Sequence, residues 1–176
     1  MRAREVSERA YKLLLAGTKW EFRSGGMFER FITSAYVRQG DFRKIPKVPF
    51  SEAFRLSIET AKKNGFDETG LSSKRCYINR LYSEVKAQLP TQFQKYLHVY
   101  VTIGQPLDLH GIDIVFILLR PVASYVGVDL TIDPFNKHSD RVIFSQYDLS
   151  DERTILFAKR VAEELLLARH MLLHKN

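Results

Sequence analysis

Over the first 90 positions apolar residues recur every three or four residues between short breaks, the period of amphipathic helices. Between Glu5 and Ala16 they are Val6, Ala10, Leu13 and Leu14, stopped by Gly17; between Met27 and Gln39 they are Phe28, Phe31, Ile32, Ala35 and Tyr36, stopped by Gly40. The pattern predicts a third helix after Pro49, with Ser51 as its N-cap and Gly65 at its end. A fourth is predicted from Ser72 or Ser73, carrying Cys76, Tyr77, Leu81, Val85 and Leu89 and closed by Pro90. From residue 96 the period changes. Tyr96 to Ile103 is β-branched and aromatic with partial alternation, and His110 to Leu119 and Ser124 to Ile132 are denser apolar runs, as strands covered on both faces require. Arg141 to Gln146 reads as a short fourth strand. The connections around Gly104 to Leu109 and Arg120 to Ala123 are short and contain Pro106 and Pro121, which favours antiparallel neighbours over crossovers. A long last helix is predicted from Asp151 to His174, capped by Ser150, with Ile155, Leu156, Val161, Ala162, Leu165, Leu166 and Leu172 on its buried side.

The expected fold is therefore α/β in the α+β sense: a central mixed or antiparallel four-stranded sheet, a helical N-terminal half and a long C-terminal helix. At 176 residues the chain fits a single domain over 1–176, with a basic helical lobe at 1–90 and the sheet core plus last helix at 91–176. A single cysteine, Cys76, excludes an internal disulfide and a zinc site built on several thiolates, and suits a reducing compartment. The apolar run Leu13 to Ala16 is too brief for a signal-peptide core or a bilayer span, so a cytoplasmic location without membrane association is expected.

Charge changes this picture more than composition does. Of the formal +7, residues 1–100 hold 19 Lys and Arg against 10 Asp and Glu, whereas residues 101–176 hold 8 against 10. A basic lobe beside a more acidic one suggests a polyanion held by the first and acted on by the second. Arg43, Lys44, Lys47, Lys62, Lys63, Lys74 and Arg75 are the candidate phosphate contacts, and nucleic acid, DNA ahead of RNA, is the expected partner. A homodimer or larger complex stays open.

Two carboxylates interrupt strands that are otherwise apolar: Asp113 within HGIDIVFIL and Asp129 within VGVDLTIDP. A carboxylate on a buried strand costs several kcal/mol unless paired, hydrogen-bonded or bound to a cation. A short antiparallel turn brings both onto one edge, where they repel unless a divalent cation lies between them. The structural alternative is that they cap turns or pair with Arg120 or Arg141. Asp133, before Pro134, reads as a turn residue. His170 and His174 are four apart on the last helix without a visible third ligand. His110 stands near the Asp113 edge, Gly25 and Gly26 precede a helix without a P-loop lysine, and Cys76 reads as core.

The succession of a helix bearing an acid, a strand, a strand with GID and a strand with an apolar-Asp-apolar-Thr core, over roughly residues 80–146, resembles the PD-(D/E)XK nuclease superfamily. The resemblance implies a restriction-endonuclease-like sheet and Mg2+ (or Mn2+) held by Asp113 and Asp129. It also implies an additional helix acid matching Glu84 and hydrolysis of phosphodiester bonds of nucleic acid. The family's lysine position is occupied by Thr131, so Lys137 in the following loop becomes the candidate migrated lysine; the helix that the family inserts between its third and fourth strands is missing. A non-catalytic nucleic-acid-binding or adaptor protein with a degenerate nuclease-like sheet is the alternative. An assembly protein whose aromatic residues anchor an interface is a third reading.

Overall fold

The computed structural model describes residues 22, 24–35, 37, 40–120, 122–136 and 141–173. The expected helix from Glu5 to Ala16, Tyr36, Lys137 and His174 lie outside the described residues, as does the side chain of Leu172. Four strands, β1 (Leu97–Val101), β2 (Ile114–Leu118), β3 (Ser124–Thr131) and β4 (Val142–Ser145), form one mixed sheet in that order. β1 with β2 and β2 with β3 are antiparallel, as their short proline-bearing connections predict. β4 runs parallel to β3, with Val128 opposite Val142 and Thr131 opposite Ser145. A parallel neighbour needs a crossover. The connection spans residues 132–141, and its described residues include a 3-10 turn, Pro134–Asn136.

The sheet is buried on both faces, which explains the unbroken apolar runs. The helices are α1 (Gly25–Thr33), α2 (Phe50–Lys63), α3 (Glu68–Leu71), α4 (Ile78–Gln88), α5 (Thr91–Gln94) and α6 (Asp151–Leu173). Phe28 and Ile32 of α1, Leu81 and Val85 of α4, and Phe157, Val161 and Leu165 of α6 share one core with Val99, Phe116, Val128 and Phe144. On the opposite face Ala53 and Ala61 of α2 meet Tyr100, Val115 and Ile117, together with Leu107 and Ile112 from the β1–β2 connection. Edge strand β1 is covered at one end. The Val101 amide donates to Phe66 O at 2.9 Å, the Val99 amide donates to Glu68 Oε2 at 3.2 Å, and Glu68 also bonds His98.

Two helix boundaries and one buried stripe differ from the periodicity, each for a local reason. Helix α1 stops at Thr33, because Ser34 turns left-handed at φ 61° while the Thr33 hydroxyl donates to Glu29 O at 2.7 Å and accepts the Ala35 amide at 3.1 Å. Helix α4 starts only at Ile78, since Asn79 Nδ2 donates to Leu71 O at 2.8 Å and to Lys74 O at 2.7 Å and so holds residues 71–74 as a turn. On α6 the buried stripe is Thr154, Phe157, Ala158, Val161, Ala162 and Leu165, and Ile155 and Leu156, expected inside, are 42% and 59% exposed. Each residue along a helix rotates by about 100°, so two neighbours of a stripe member cannot both follow it inward.

Asp67 caps α3 by accepting the Gly70 amide at 3.0 Å, and this draws Gly70 against Gly65. A Cβ at position 70 would stand 2.3 Å from Gly65 O and 2.5 Å from Gly65 C, both backbone atoms. Gly70→Ala is expected to cost about 1–3 kcal/mol as an overpacking change. Gly40→Ala, with nothing within 4 Å, is expected to stay within about 0.5 kcal/mol of wild type. Denaturant midpoints of the two variants measure the difference.

Candidate functional site

The last register pair of β2 and β3 is Ile114 with Val128, so Asp113 and Asp129 each stand one residue beyond it, at the same end of the same strand pair. Both are buried, at 6% and 5% exposure. Val128 and Leu130 belong to the core that α1, α4 and α6 cover. Strand alternation therefore turns Asp129 and Thr131 toward the opposite face, where α2 and the β1–β2 connection pack. Gly127 lies on that face as well. A Cβ there would come within 2.8 Å of Ile112 Cδ1, so the missing side chain lets the connection close down beside Asp129.

Asp113 is fixed through both backbone and side chain. Its amide donates to Val128 O at 2.9 Å and its carbonyl accepts the Thr102 amide at 2.9 Å. The Thr102 hydroxyl donates to Ile112 O at 2.7 Å. The Leu130 amide, which a continuing ladder would direct to a strand carbonyl, donates instead to Asp113 Oδ2 at 2.7 Å. Burial pushes the Asp113 carboxyl well above the ordinary carboxylic range; the Leu130 amide opposes that rise, and the negative charges of Asp108, Asp129 and Glu29 add to it. Asp108 is itself placed by its Oδ2, which accepts the Gly104 amide at 2.7 Å. Strand ends thus gather Asp113 and Asp129, and the charges of Asp108 and Glu29 reach Asp113.

Glu29 and Asp108 carry no sequence signal of this role, since Glu29 is one polar position of an amphipathic helix and Asp108 one polar residue in a loop. Glu84 is engaged elsewhere: it pairs with Arg80 at 4.0 Å, and Arg80 in turn bridges Asp151 at 2.7 Å. Thr131, where the resemblance would place a lysine, is buried and its Oγ1 accepts the Asp133 amide at 3.1 Å. Asp133 Oδ1 accepts the Phe135 amide at 3.2 Å, which makes it the turn residue that its neighbour Pro134 implies. His110 bonds Val48 O through Nε2 at 3.0 Å and sets its ring edge-on to Phe50. His170 is exposed on α6, Cys76 packs against the core, and Gly25 and Gly26 form the first turn of α1 under the Ser24 cap. Arg120 and Arg141 lie over the rings of Tyr96 and Phe50.

Among the described residues no group of three or more His, Cys, Asp or Glu side chains is arranged to hold a metal ion. Two carboxylates with an all-oxygen donor set suit a hard cation that retains several waters, as Mg2+ does, and do not suit structural zinc. Of the basic residues, Arg43, Lys44, Lys47, Lys62, Lys63 and Arg75 are exposed. Lys74 is occupied internally, with Nζ 3.8 Å from the Phe66 ring centre and donating to Gly65 O at 3.0 Å. No helix of the described residues is long and apolar enough to cross a membrane. Comparisons with family models, with curated proteins and with solved structures returned no match.

A carboxyl raised in the folded state favours the proton. Its contribution is therefore complete below the ordinary value of 3.8 and is lost as pH climbs through the raised one. Asp113→Asn keeps an acceptor for the Leu130 amide and removes that loss. In metal-free buffer at pH 7 the variant is expected to melt a few degrees above wild type, about 2–4 °C for each kcal/mol in a chain of this size. Its stability should also fall less steeply above about pH 4. Some slope remains, because burial also raises Asp148 despite its bonds from Ser145. Melting curves across pH 4–8 in EDTA (roughly the span of raised carboxyls) test both statements.

Proposed function

We propose that this protein is a Mg2+-dependent nuclease-like enzyme that hydrolyses phosphodiester bonds, with Asp113 and Asp129 as its metal-holding carboxylates. The observation that carries the reading is their shared burial at one end of the β2–β3 pair, where the charges of Asp108 and Glu29 also reach Asp113. Burying two carboxylates together without a cation is costly, and a divalent ion relieves it. The parallel β4 adds support, because a family that places a crossover between its third and fourth strands makes those strands parallel too.

When bound, such an ion stabilises charge developing on the scissile phosphate and supplies a water of lowered pKa. The protein's own part is positional. The Leu130 amide orients Asp113 from the backbone of the strand that carries Asp129, so both acids move as one unit. Lys137 is the proposed third partner, taking the role that Thr131 does not fill. Exposed Arg43, Lys44 and Lys47 precede α2, and Lys62 and Lys63 end it. These groups are separated by a helix of about 20 Å, a spacing that lets them follow successive phosphates rather than one. DNA is the first substrate to test.

Plasmid, single-stranded DNA and RNA incubated with Mg2+ or Mn2+ against EDTA test the reading. Wild type should cleave only with metal, and Asp129→Asn and Asp113→Asn should lose hydrolysis by orders of magnitude while binding DNA normally in EDTA. Metal-independent binding without cleavage would favour the second reading, a non-catalytic binder, for which the buried and engaged Thr131 speaks.

The phosphate contacts have their own test. Binding should weaken with salt, and Lys62→Glu and Lys63→Glu should each lower the logarithmic salt slope by roughly 1 without changing sequence preference. Lys74→Glu should instead lower the melting temperature, because it removes a cation from the Phe66 ring and a donor from Gly65 O. Fluorescence anisotropy over a salt series, with melting curves, separates the two effects.

A further inference from the structure

The outward face of α6 carries exposed apolar residues and a regular order of charges. Leu156, Arg160, Glu163, Leu167 and Met171 recur at helical spacing, flanked by Lys159 and Glu164. Leu156, Leu167 and Met171 are 59%, 60% and 56% exposed, large apolar side chains left outside while Phe157, Val161 and Leu165 fill the core. Within the helix Lys159 pairs with Glu163 at 3.9 Å and Arg160 with Glu164 at 3.1 Å, all four side chains being largely exposed. Leucine, two cations, two carboxylates and leucine follow one another with three residues' spacing between groups, so the outward positions from 156 to 167 read backwards keep the same order with the charges inverted.

A segment with that symmetry is complementary to itself when two copies run antiparallel. A two-fold axis perpendicular to the helices then keeps each flank against the same flank of its mate. On one flank Lys159 meets Glu163 of the other copy, on the other flank Arg160 meets Glu164, and Leu156 packs on Leu167 at both ends. A parallel arrangement would set each cation level with its own kind. We infer that α6 is a homodimerisation surface, whose occupant is the α6 of a second copy of this chain in antiparallel orientation. The charge complementarity selects the second copy over an unrelated apolar partner, which would offer these four charges nothing beyond their pairs within the helix. The inference is independent of the proposed nuclease activity.

The contact is confined to about 22 Å of one helix per copy, at the low end of specific interfaces, so association in the micromolar range or weaker is expected. Its charges are exposed, and salt should loosen it as the screening length shrinks from about 8 Å at 0.15 M to about 3 Å at 1 M.

Sedimentation equilibrium of the full chain, from low micromolar to near millimolar concentration, tests the inference with two charge variants. Lys159→Glu with Arg160→Glu gives a wholly acidic face, and Glu163→Lys with Glu164→Lys a wholly basic one. Wild type should dimerise reversibly, each variant alone should be monomeric, and their equimolar mixture should form a one-to-one heterodimer tighter than wild type. Leu156→Asp and Leu167→Asp should each weaken the wild-type dimer at least tenfold. Circular dichroism verifies that these surface variants keep their helix content. A wild type that stays monomeric, or a mixture that fails to associate, overturns the inference. So does a monomeric wild type in which Leu156→Asp lowers the melting temperature, an outcome that assigns the face to another segment of the same chain.

Discussion

The register of β2 against β3 is the constraint on which the rest of the structure depends. With Ile114 opposite Val128, each strand sends alternate side chains into two separate cores, one under α1, α4 and α6 and one under α2. A slip of one residue would exchange the two sets and turn Asp129 into the larger core, among apolar side chains. The same register sets Asp113 and Asp129 at one end of the pair. There the ladder gives way to a side-chain bond from the Leu130 amide to Asp113. The donor that the ladder leaves over there offsets part of the cost of burying Asp113.

Much of this was legible in the sequence, because it rests on periodicity. The strand runs were readable from their density of apolar residues, and the antiparallel order of the first three from the length of their connections. Asp113 and Asp129 stood out as polar residues inside apolar runs, a signal that survives without any knowledge of the partners. What escaped the sequence is what side chains do to the backbone locally. Asn79 delays α4 by bonding two carbonyls, and the Thr33 hydroxyl helps end α1 two turns before Gly40. The charges of Glu29 and Asp108 at the site are tertiary events from distant segments, and no spacing rule encodes them. For the same reason the resemblance alone suggested Glu84, while in the fold it takes part in an ion-pair chain that links α4 to the start of α6.

The uneven charge of the chain divides along the fold in a comparable way. Exposed Arg43, Lys44, Lys47, Lys62 and Lys63 border α2, which packs on the face toward which Asp129 points, and one expected contact, Lys74, holds the turn between α3 and α4. The C-terminal half is close to neutral, and its charges on α6 are ordered into two cations followed by two carboxylates. Exposure of Leu156 next to that block shows why an apolar residue near a helix start is a poor guide to the core: its direction is set by the stripe that the sheet accepts, not by its own hydropathy.

The central claim is that Asp113 and Asp129 jointly hold a divalent cation, and anomalous diffraction from a crystal soaked in Mn2+ addresses it most directly. The account predicts one anomalous peak within about 2.0–2.6 Å of a carboxylate oxygen from each residue, lost in Asp129→Asn. Diffraction that shows the two carboxylates without a peak between them, or manganese bound only at other acidic groups, would contradict it.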